Sequence, residues 1–394
     1  RASRRATGTE AVTAGPHGLL NGLAPALGLE LGGVWGGTVD LPADATPQDM
    51  SALLDHLLGG GGEDTAAVRE GTVLVPRVVT APDDYTPDLP VRPDATYLVT
   101  GGLGGVGRAI TEDLVGRGAR HLLLMGRRPK EALDDTATAF LERLGRDGVE
   151  AAYLSADCDA PAMVARASHA LDSLPALGGI VHCAGNLPHR PVAEVDADDF
   201  AAALRGKYSG TWWLHLLTRD HAPDFFLLTS SASAQWGSDG HAAYAAANAG
   251  IDALAAHRSA TGLPAMSMAF GLWGLDGMAD DESRAALAAT GLGDITPERG
   301  VASLTAAGPG GDPHLIACPV DWDRFTRVMA ARRERPLFDE VAPASPRDAE
   351  EPAEAAARIL AAPERARADE ARRYTATVLA ETLGHADSTA MIDR

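Results

Sequence analysis

The sequence predicts an α/β fold built on a doubly wound parallel sheet, on three observations. A glycine-rich stretch, Thr100-Gly101-Gly102-Leu103-Gly104-Gly105-Val106-Gly107, stands between an apolar run at Thr96–Val99 and a helix-like run from Arg108. Residues without a Cβ let backbone N–H groups close on a phosphate at a helix N-terminus, where the macrodipole favours negative charge. A second apolar run, His121–Met125, ends in Gly126-Arg127-Arg128, at about the 20-residue spacing of a dinucleotide-binding unit. From there to Phe270, short apolar runs alternate with helix-like stretches, the pattern of buried strands joined by crossover helices.

Composition bounds what surrounds that core. With 394 residues, 45% hydrophobic and 22% charged, the chain can bury a large core as two domains or one domain with appendages. A net charge of −20 and a pI near 4.9 argue against nucleic acid or an anionic membrane as partner, since phosphate would be repelled. The three cysteines, Cys158, Cys183 and Cys318, have no CxxC spacing, so neither a disulfide framework nor a metal site is indicated. A reducing, cytoplasmic setting is expected. No apolar run approaches the roughly 18 residues of a membrane helix, and Arg1-Ala2-Ser3-Arg4-Arg5 leads into no signal-type segment. The first residue is not methionine, so the chain is expected to be a piece of a longer one.

In chain order, Leu19, Leu20, Leu23, Leu27 and Leu29 recur at helical spacing between Gly18 and Glu30. Trp35-Gly36-Gly37 and a strand at Thr38–Leu41 follow, then a loop over Pro42–Pro47. A helix at Met50–Leu58 runs into Gly59–Gly62 as its stop, a strand is expected at Thr72–Val79, and the proline-punctuated Ala81–Pro93 reads as a linker. This part carries no constellation of catalytic residue types and reads as a packing domain. Beyond it, helices are expected at Ala132–Leu144, Pro161–Leu174, Asp198–Thr218 and Tyr244–Ala260. Strands are expected at Ala151–Ser155, Gly179–Cys183, Phe225–Thr229 and Ala265–Phe270, for six or so in all.

In such sheets ligands sit at the carboxyl ends of the strands, and there the reactive residues collect. Thr229-Ser230-Ser231 closes one strand, Tyr244 and Asn248 lie one turn apart on the next helix, and Lys207 lies on the helix before. A phenol has a pKa near 10 and is a poor acid at neutral pH unless a nearby cation stabilises its phenolate. Lys207 could supply the charge, and Ser231 could hold a carbonyl oxygen. Singly, each has a plainer reading: Tyr244 as core aromatic, Lys207 as a solvated helix residue, Ser231 as a cap. Together beside a dinucleotide turn, they favour carbonyl reduction.

At these residues the chain resembles the short-chain dehydrogenase/reductase superfamily and, more narrowly, the ketoreductase domain of a modular type I polyketide synthase. The pattern comprises the Thr-Gly-x-x-x-Gly-x-Gly turn, His182-Cys183-Ala184-Gly185, Lys207, Ser231 thirteen residues before Tyr244, and Tyr244-Ala-Ala-Ala-Asn248. In the wider superfamily the helix reads Tyr-x-x-x-Lys; the asparagine with the lysine displaced to the earlier helix is typical of synthase ketoreductases. The resemblance implies a Rossmann sheet of short-chain dehydrogenase type, preceded by a degenerate Rossmann-like structural subdomain. Trp35-Gly36-Gly37 and Val73-Leu-Val-Pro-Arg77 are similar to the later part of that subdomain, and its earlier part is read as absent or shortened. Residues 1–92 are thus read as a truncated structural subdomain and linker, 93–335 as the catalytic subdomain, and 336–394 as a linker and the start of an acyl carrier domain. Within the last, Pro343–Ala368 is linker-like by composition and Val378–Gly384 resembles the first carrier helix.

The resemblance further implies that NADPH reduces a β-ketoacyl thioester delivered by an acyl carrier protein beside neighbouring synthase domains. Tyr244 would protonate the oxygen, Ser231 would bind it, and Lys207 with Asn248 would tune the phenol and connect to water. Residues 100–107, Ala184 and Gly185 would hold the cofactor; Arg127 and Arg128 would accommodate a ribose 2′-phosphate, and Asp157 would lie near the adenine. Family members forming a D-hydroxyl carry Leu-Asp-Asp where this chain has Leu187-Pro188-His189. Members forming an L-hydroxyl carry a tryptophan eight residues before the tyrosine, here Trp236, expected to wall one side of the cleft. His241, three before the tyrosine, marks a subgroup associated with an epimerised α-branch. Trp273, and Met278 with a helix at Glu282–Ala289, resemble the substrate cover, with Phe-Gly-Leu-Trp in place of Trp-Gly-Pro-Trp. Two alternatives stand beside this reading: a reductively silent or epimerase domain, and a free-standing dehydrogenase acting on a small ketone.

Overall fold

The computed structural model describes residues 6, 12, 16–59, 62–81, 89–275, 280–306, 311–342 and 352–383. The N-terminal unit holds α1 (His17–Glu30), β1 (Thr38–Asp40), α2 (Pro47–Gly59), β2 (Thr65–Arg69) and β3 (Thr72–Leu74). β1 pairs parallel with β2, and β2 antiparallel with β3. The sequence gives little sign of β2, because Thr-Ala-Ala-Val-Arg is poor in strand formers and its place is set by pairing with β1. β3 stops at Leu74 rather than Val79; Pro76, two residues on, has no N–H to offer a ladder.

The larger unit runs β4 (Thr96–Thr100), α3 (Gly105–Gly116), β5 (His121–Gly126), α4 (Asp135–Arg146), β6 (Glu150–Ser155), α5 (Ala162–Leu171) and β7 (Leu177–His182). It continues through α6 (Ala197–Leu204), a π-helical turn (Arg205–Ser209), α7 (Gly210–Leu217), β8 (Phe225–Ser231), α8 (Ser233–Trp236), α9 (Ala242–Ala260) and β9 (Met266–Phe270). α10 (Asp281–Ala289), α11 (Pro297–Ala306), β10 (His314–Ala317) and α12 (Trp322–Arg332) complete it. The long helix expected at Asp198–Thr218 is thus interrupted by a π turn, a feature that often marks functional sites.

Seven strands form one sheet in the order β10-β9-β8-β7-β4-β5-β6, every pair parallel. β10 is the strand the sequence hid: four residues at the sheet edge, too short for periodicity to register. Alternate residues of one strand feed opposite cores, as a pleated strand buried on both faces requires. Tyr97, Val99, Leu122 and Leu124 enter one, Leu98, Leu123, Met125 and Ile180 the other. The order reverses between β4 and β7, and a doubly wound sheet opens a ligand crevice at that switch point.

α1 lies against α9 at close range. A Cβ on Gly22 would fall 2.1 Å from the Ala245 carbonyl oxygen, and one on Gly18 would fall 2.6 Å from the Ala253 Cβ. The expected linker is helical where it is described, with α13 (Pro352–Ala361) and α14 (Glu364–Leu383). Its alanine, arginine and glutamate are strong helix formers, and Arg358 pairs with Glu370 at 2.5 Å. Most of the expected carrier helix, Val378–Gly384, falls in α14; Gly384 lies outside the described residues, as do most of the expected Ala81–Pro93 linker and the start of Pro343–Ala368. Among the described residues no helix is long and apolar enough to cross a membrane.

Candidate active site

β4 and β7 end side by side at the switch point, with Thr100 opposite His182. Thr100 Oγ1 lies 2.6 Å from His182 Nδ1, and His182 Nε2 lies 3.3 Å from the Lys207 carbonyl. Burial, reinforced by the Lys207 charge, lowers the imidazole pKa to about 3. The ring is therefore neutral, and since a carbonyl only accepts, Nε2 carries the proton and Nδ1 accepts from the threonine hydroxyl.

The glycine turn closes on this pair. Gly101 has φ +67°, open to glycine at little cost, and a Cβ there would fall 3.0 Å from the Ala184 nitrogen. A Cβ on Gly107 would fall 2.2 Å from the Gly101 carbonyl oxygen. Gly102 backs on Leu124, Leu103 is buried, and Gly105 and Val106 open α3, with Leu275 over Gly105. Exposed Gly104 is the N-cap of α3; no side chain caps that terminus and its first turn holds no acid. The N–H groups of the first turn are thus left to an anion, and a pyrophosphate fits them.

Arg127 and Arg128 are exposed past the end of β5. Arg128 pairs with Asp134 at 2.6 Å, where Asp134 also caps α4, while Arg127 makes no ion pair among the described residues. Asp157 is exposed after β6. Its charge, added to burial, raises the pKa of neighbouring Asp159. Ala184 and Gly185 follow β7, and the Lys207 side chain lies across Gly185, its Cε 2.4 Å from where a Cβ would stand.

Across the sheet, Ser231 ends β8 and Tyr244 and Asn248 lie on the first turns of α9. Tyr244 is 7% exposed and Asn248 fully buried. Burial raises the phenol pKa, and hydrogen bonding to the Ser231 and Asn248 side chains opposes it. Asn248 Nδ2 donates to the Tyr244 carbonyl at 2.8 Å, which leaves its Oδ1 buried with no partner among the described residues. Such an orphan acceptor is a place for a water or ligand donor. Ser231 Oγ accepts from the Ser233 hydroxyl at 2.9 Å. Lys207 sits in the π turn and its Nζ donates to the Thr229 carbonyl at 2.5 Å, with Thr229 Oγ1 at 3.5 Å. Burial lowers its pKa to about 8. Ser231, Tyr244 and Asn248 are therefore brought together, while the ammonium is turned onto the Thr229 carbonyl.

The residues expected to line the substrate side divide. Leu187 is half-buried on the loop after β7. His241 is the N-cap of α9; its Nδ1 donates to the Asp239 carbonyl at 2.7 Å, and its ring sits 5.0 Å from His189 and 6.4 Å from Tyr244. Burial lowers its pKa, with His189 adding and the Asp239 carbonyl opposing. Trp236 does not wall an open cleft: it is 3% exposed, edge-on to Trp322, Phe325 and Phe338 in a closed aromatic cluster. Trp273 is likewise turned inward, against Phe270 at 4.9 Å and under Gly300. An indole in these settings gains more from burial than from contact with a wet cleft. Met278 lies outside the described residues; α10 is tied to the segment before it by Arg284, which donates to the Trp273 and Leu275 carbonyls.

Sequence reasoning missed Glu30. Its Oε1 accepts from the Gly240 N–H at 3.0 Å and its Oε2 from the Val192 N–H at 2.6 Å. The signal was local: a carboxylate as the last residue of a helix, where the macrodipole disfavours it. Arg335, which donates to the Trp236 carbonyl at 2.7 Å, lay too far along the chain to be linked to that loop by spacing. Among the described residues no cluster of three or more His, Cys, Asp or Glu side chains is placed to hold a metal ion.

Comparison with known proteins agrees with this layout. The family profile described as KR domain matches residues 95–274. The chain is 35% identical over 383 residues to erythronolide synthase EryA3 of Saccharopolyspora erythraea, covering 95% of this chain and 12% of that one. It is 33% identical over 383 residues to the pikromycin polyketide synthase component PikAIII of Streptomyces venezuelae, covering 93% and 24%. The chain thus spans a quarter or less of these curated relatives. Among solved structures, one described as A-type ketoreductases from a modular polyketide synthase superimposes with a TM-score of 0.80 at 34% identity, over 86% of this chain and 72% of that one. The chain belongs to the ketoreductase (KR) domain family of modular polyketide synthases, oxidoreductases whose fold takes a nicotinamide cofactor.

Proposed function

We propose that this chain reduces a β-ketoacyl thioester, carried on the phosphopantetheine arm of an acyl carrier protein, to the β-hydroxyacyl thioester. The observation that carries this reading is the buried Tyr244 phenol beside Ser231 and Asn248, whose side chains hold its pKa down against burial, across the switch point from an uncapped helix N-terminus. NADPH supplies the hydride when bound. Residues 100–107 would hold its pyrophosphate by backbone N–H groups, and Ala184 and Gly185 would border it from β7. Arg127, free of ion pairs among the described residues, favours a 2′-phosphate, with Arg128 shared with Asp134. Asp157 would lie near the adenine.

Ser231 holds the substrate carbonyl oxygen by its hydroxyl, and Tyr244 gives that oxygen its proton as the carbon is reduced. The free Asn248 Oδ1 accepts from a water that returns the proton to the phenol. Lys207 fixes the end of β8 through the Thr229 carbonyl and places positive charge behind the site, which favours the phenolate while it lasts.

An L-hydroxyl product, on an α-branched substrate through His241, is the stereochemical reading. Leu187-Pro188-His189 in place of an acidic motif and Trp236 support it, as does the likeness to a structure described as A-type. Trp236 acts through the loop it anchors rather than as a wall. Residues 1–92 serve as the structural subdomain, 93–335 as the catalytic one, and 336–394 lead toward a carrier domain. Incubation with racemic 2-methyl-3-oxopentanoyl N-acetylcysteamine thioester and NADPH or NADH, followed by chiral chromatography, tests the reading. Faster consumption of NADPH and an L-hydroxyl product are expected. A D-hydroxyl product removes the stereochemical part, and no consumption removes the reductase part.

A further inference from the structure

Two loops meet at the start of α9. One follows β7 and runs over residues 187–192; the other, residues 237–241, joins α8 to α9. Between them, the Arg190 N–H donates to the Gly240 carbonyl at 2.7 Å, and the His189 ring packs on Gly240, which has φ +68° and no Cβ to obstruct it. Neither contact uses the N–H of Val192 or of Gly240. Both of those go to a single carboxylate, one to each oxygen of Glu30, and Glu30 belongs to α1, which comes from the N-terminal unit and packs on α9.

Glu30 is badly placed for its own helix. It is the last residue of α1, where the macrodipole is negative, and no ion pair to it is seen among the described residues. A half-buried carboxylate in that position is stabilised by what it accepts, and charge-assisted bonds to two backbone N–H groups are strong ones. The geometry also explains why a carboxylate is needed. Both atoms facing the loops must accept, so an amide would set an NH₂ donor against an N–H.

We propose that Glu30 is a positioning residue for facial selectivity, clamping the 187–192 loop to the 237–241 loop and thereby setting the approach to Tyr244. The proposal rests on the reductase reading given above. Those two loops carry Leu187 and His241, and the ring contacts His189 to His241 to Tyr244 lead from the clamp to the phenol. Among the described residues the Glu30 carboxylate bonds to neither the phenol nor the glycine turn, so its loss should leave cofactor binding intact. With the loops displaced the thioester is held less firmly and less selectively, which raises KM before it lowers kcat.

The test is Glu30→Gln in the full chain, with Glu30→Ala beside it. Glu30→Gln keeps the volume and removes one acceptor, so it separates clamping from packing should Glu30→Ala unfold. NADPH affinity is expected to stay as in the wild type, while KM for the thioester rises about tenfold with a smaller change in kcat, and the minor hydroxyl epimer increases. Hydrogen exchange at the Val192 and Gly240 amides is expected to accelerate in both variants. Wild-type KM, epimer ratio and exchange in a folded Glu30→Gln overturn the clamp. If the wild type itself consumes no NADPH, the reductase reading falls instead, and the exchange of the two amides still decides the clamp by itself.

Discussion

The Lys207 ammonium donates to the Thr229 carbonyl oxygen at 2.5 Å, two residues before Ser231 on the same strand. Its pKa of about 8 lies below the ordinary 10.5 because burial disfavours the charge. Between those values the unfolded chain holds more proton than the folded one, so wild-type stability rises with pH across that window, and below it the full burial penalty is present. Lys207→Met removes this dependence. Its stability relative to wild type is therefore expected to be best at pH 7 and to worsen toward pH 10, at about 2–4 °C in Tm per kcal/mol. Thermal unfolding of both proteins at the two pH values measures it; a parallel pair of curves would show that burial does not lower the lysine's pKa in the folded state.

Gly107 leaves no room for a methyl group, since the atom it would meet is backbone. Gly107→Ala should cost about 1–3 kcal/mol in stability and shift the turn that receives the pyrophosphate. NADPH titration by fluorescence should show binding weakened together with the fall in Tm.

Arg127 and Arg128 differ although they are neighbours. Arg127→Ala should raise KM for NADPH about tenfold, the loss of one charge-assisted bond, and leave KM for NADH unchanged. Arg128→Ala should do less, because its guanidinium already holds Asp134. Initial rates with both cofactors separate the two.

Trp236 is an anchor. Trp236→Ala should cost about 3–5 kcal/mol and raise the minor epimer, since the 237–241 loop hangs from it and from the Arg335 bond to its carbonyl. Trp236→Phe, which keeps an aromatic ring against Phe325 and Phe338, should retain most of both. Unfolding curves and chiral product analysis give the pair of readouts.

The sequence exposes the parts of this molecule that repeat or punctuate. Strands buried on both faces read as apolar runs, the glycine turn and Ser231 stand at strand ends, and Tyr244 and Asn248 stand on the helix α9 that follows. What stayed hidden depends on partners far along the chain. β2 and β10 are short and defined by pairing. The π turn at Lys207 is invisible in a helical pattern, yet it decides that the ammonium faces Thr229. Trp236 and Trp273 were read by position in a motif, whereas their burial depends on α11, α12 and Phe338. Glu30 reaches Gly240 across 210 residues. The composition of Pro343–Ala368 reads as a linker without disclosing that its described part is helical, since alanine, arginine and glutamate are also strong helix formers.

In the proposed reduction of a β-keto thioester, the Tyr244 phenol supplies the proton. Tyr244→Phe removes one oxygen from a buried ring and leaves the glycine turn untouched. The measurement is NADPH consumption with 2-methyl-3-oxopentanoyl N-acetylcysteamine thioester, alongside NADPH binding by both proteins. A variant that binds NADPH as the wild type does and turns over at least about 100-fold more slowly is the predicted result. Equal turnover by Tyr244→Phe would contradict the account.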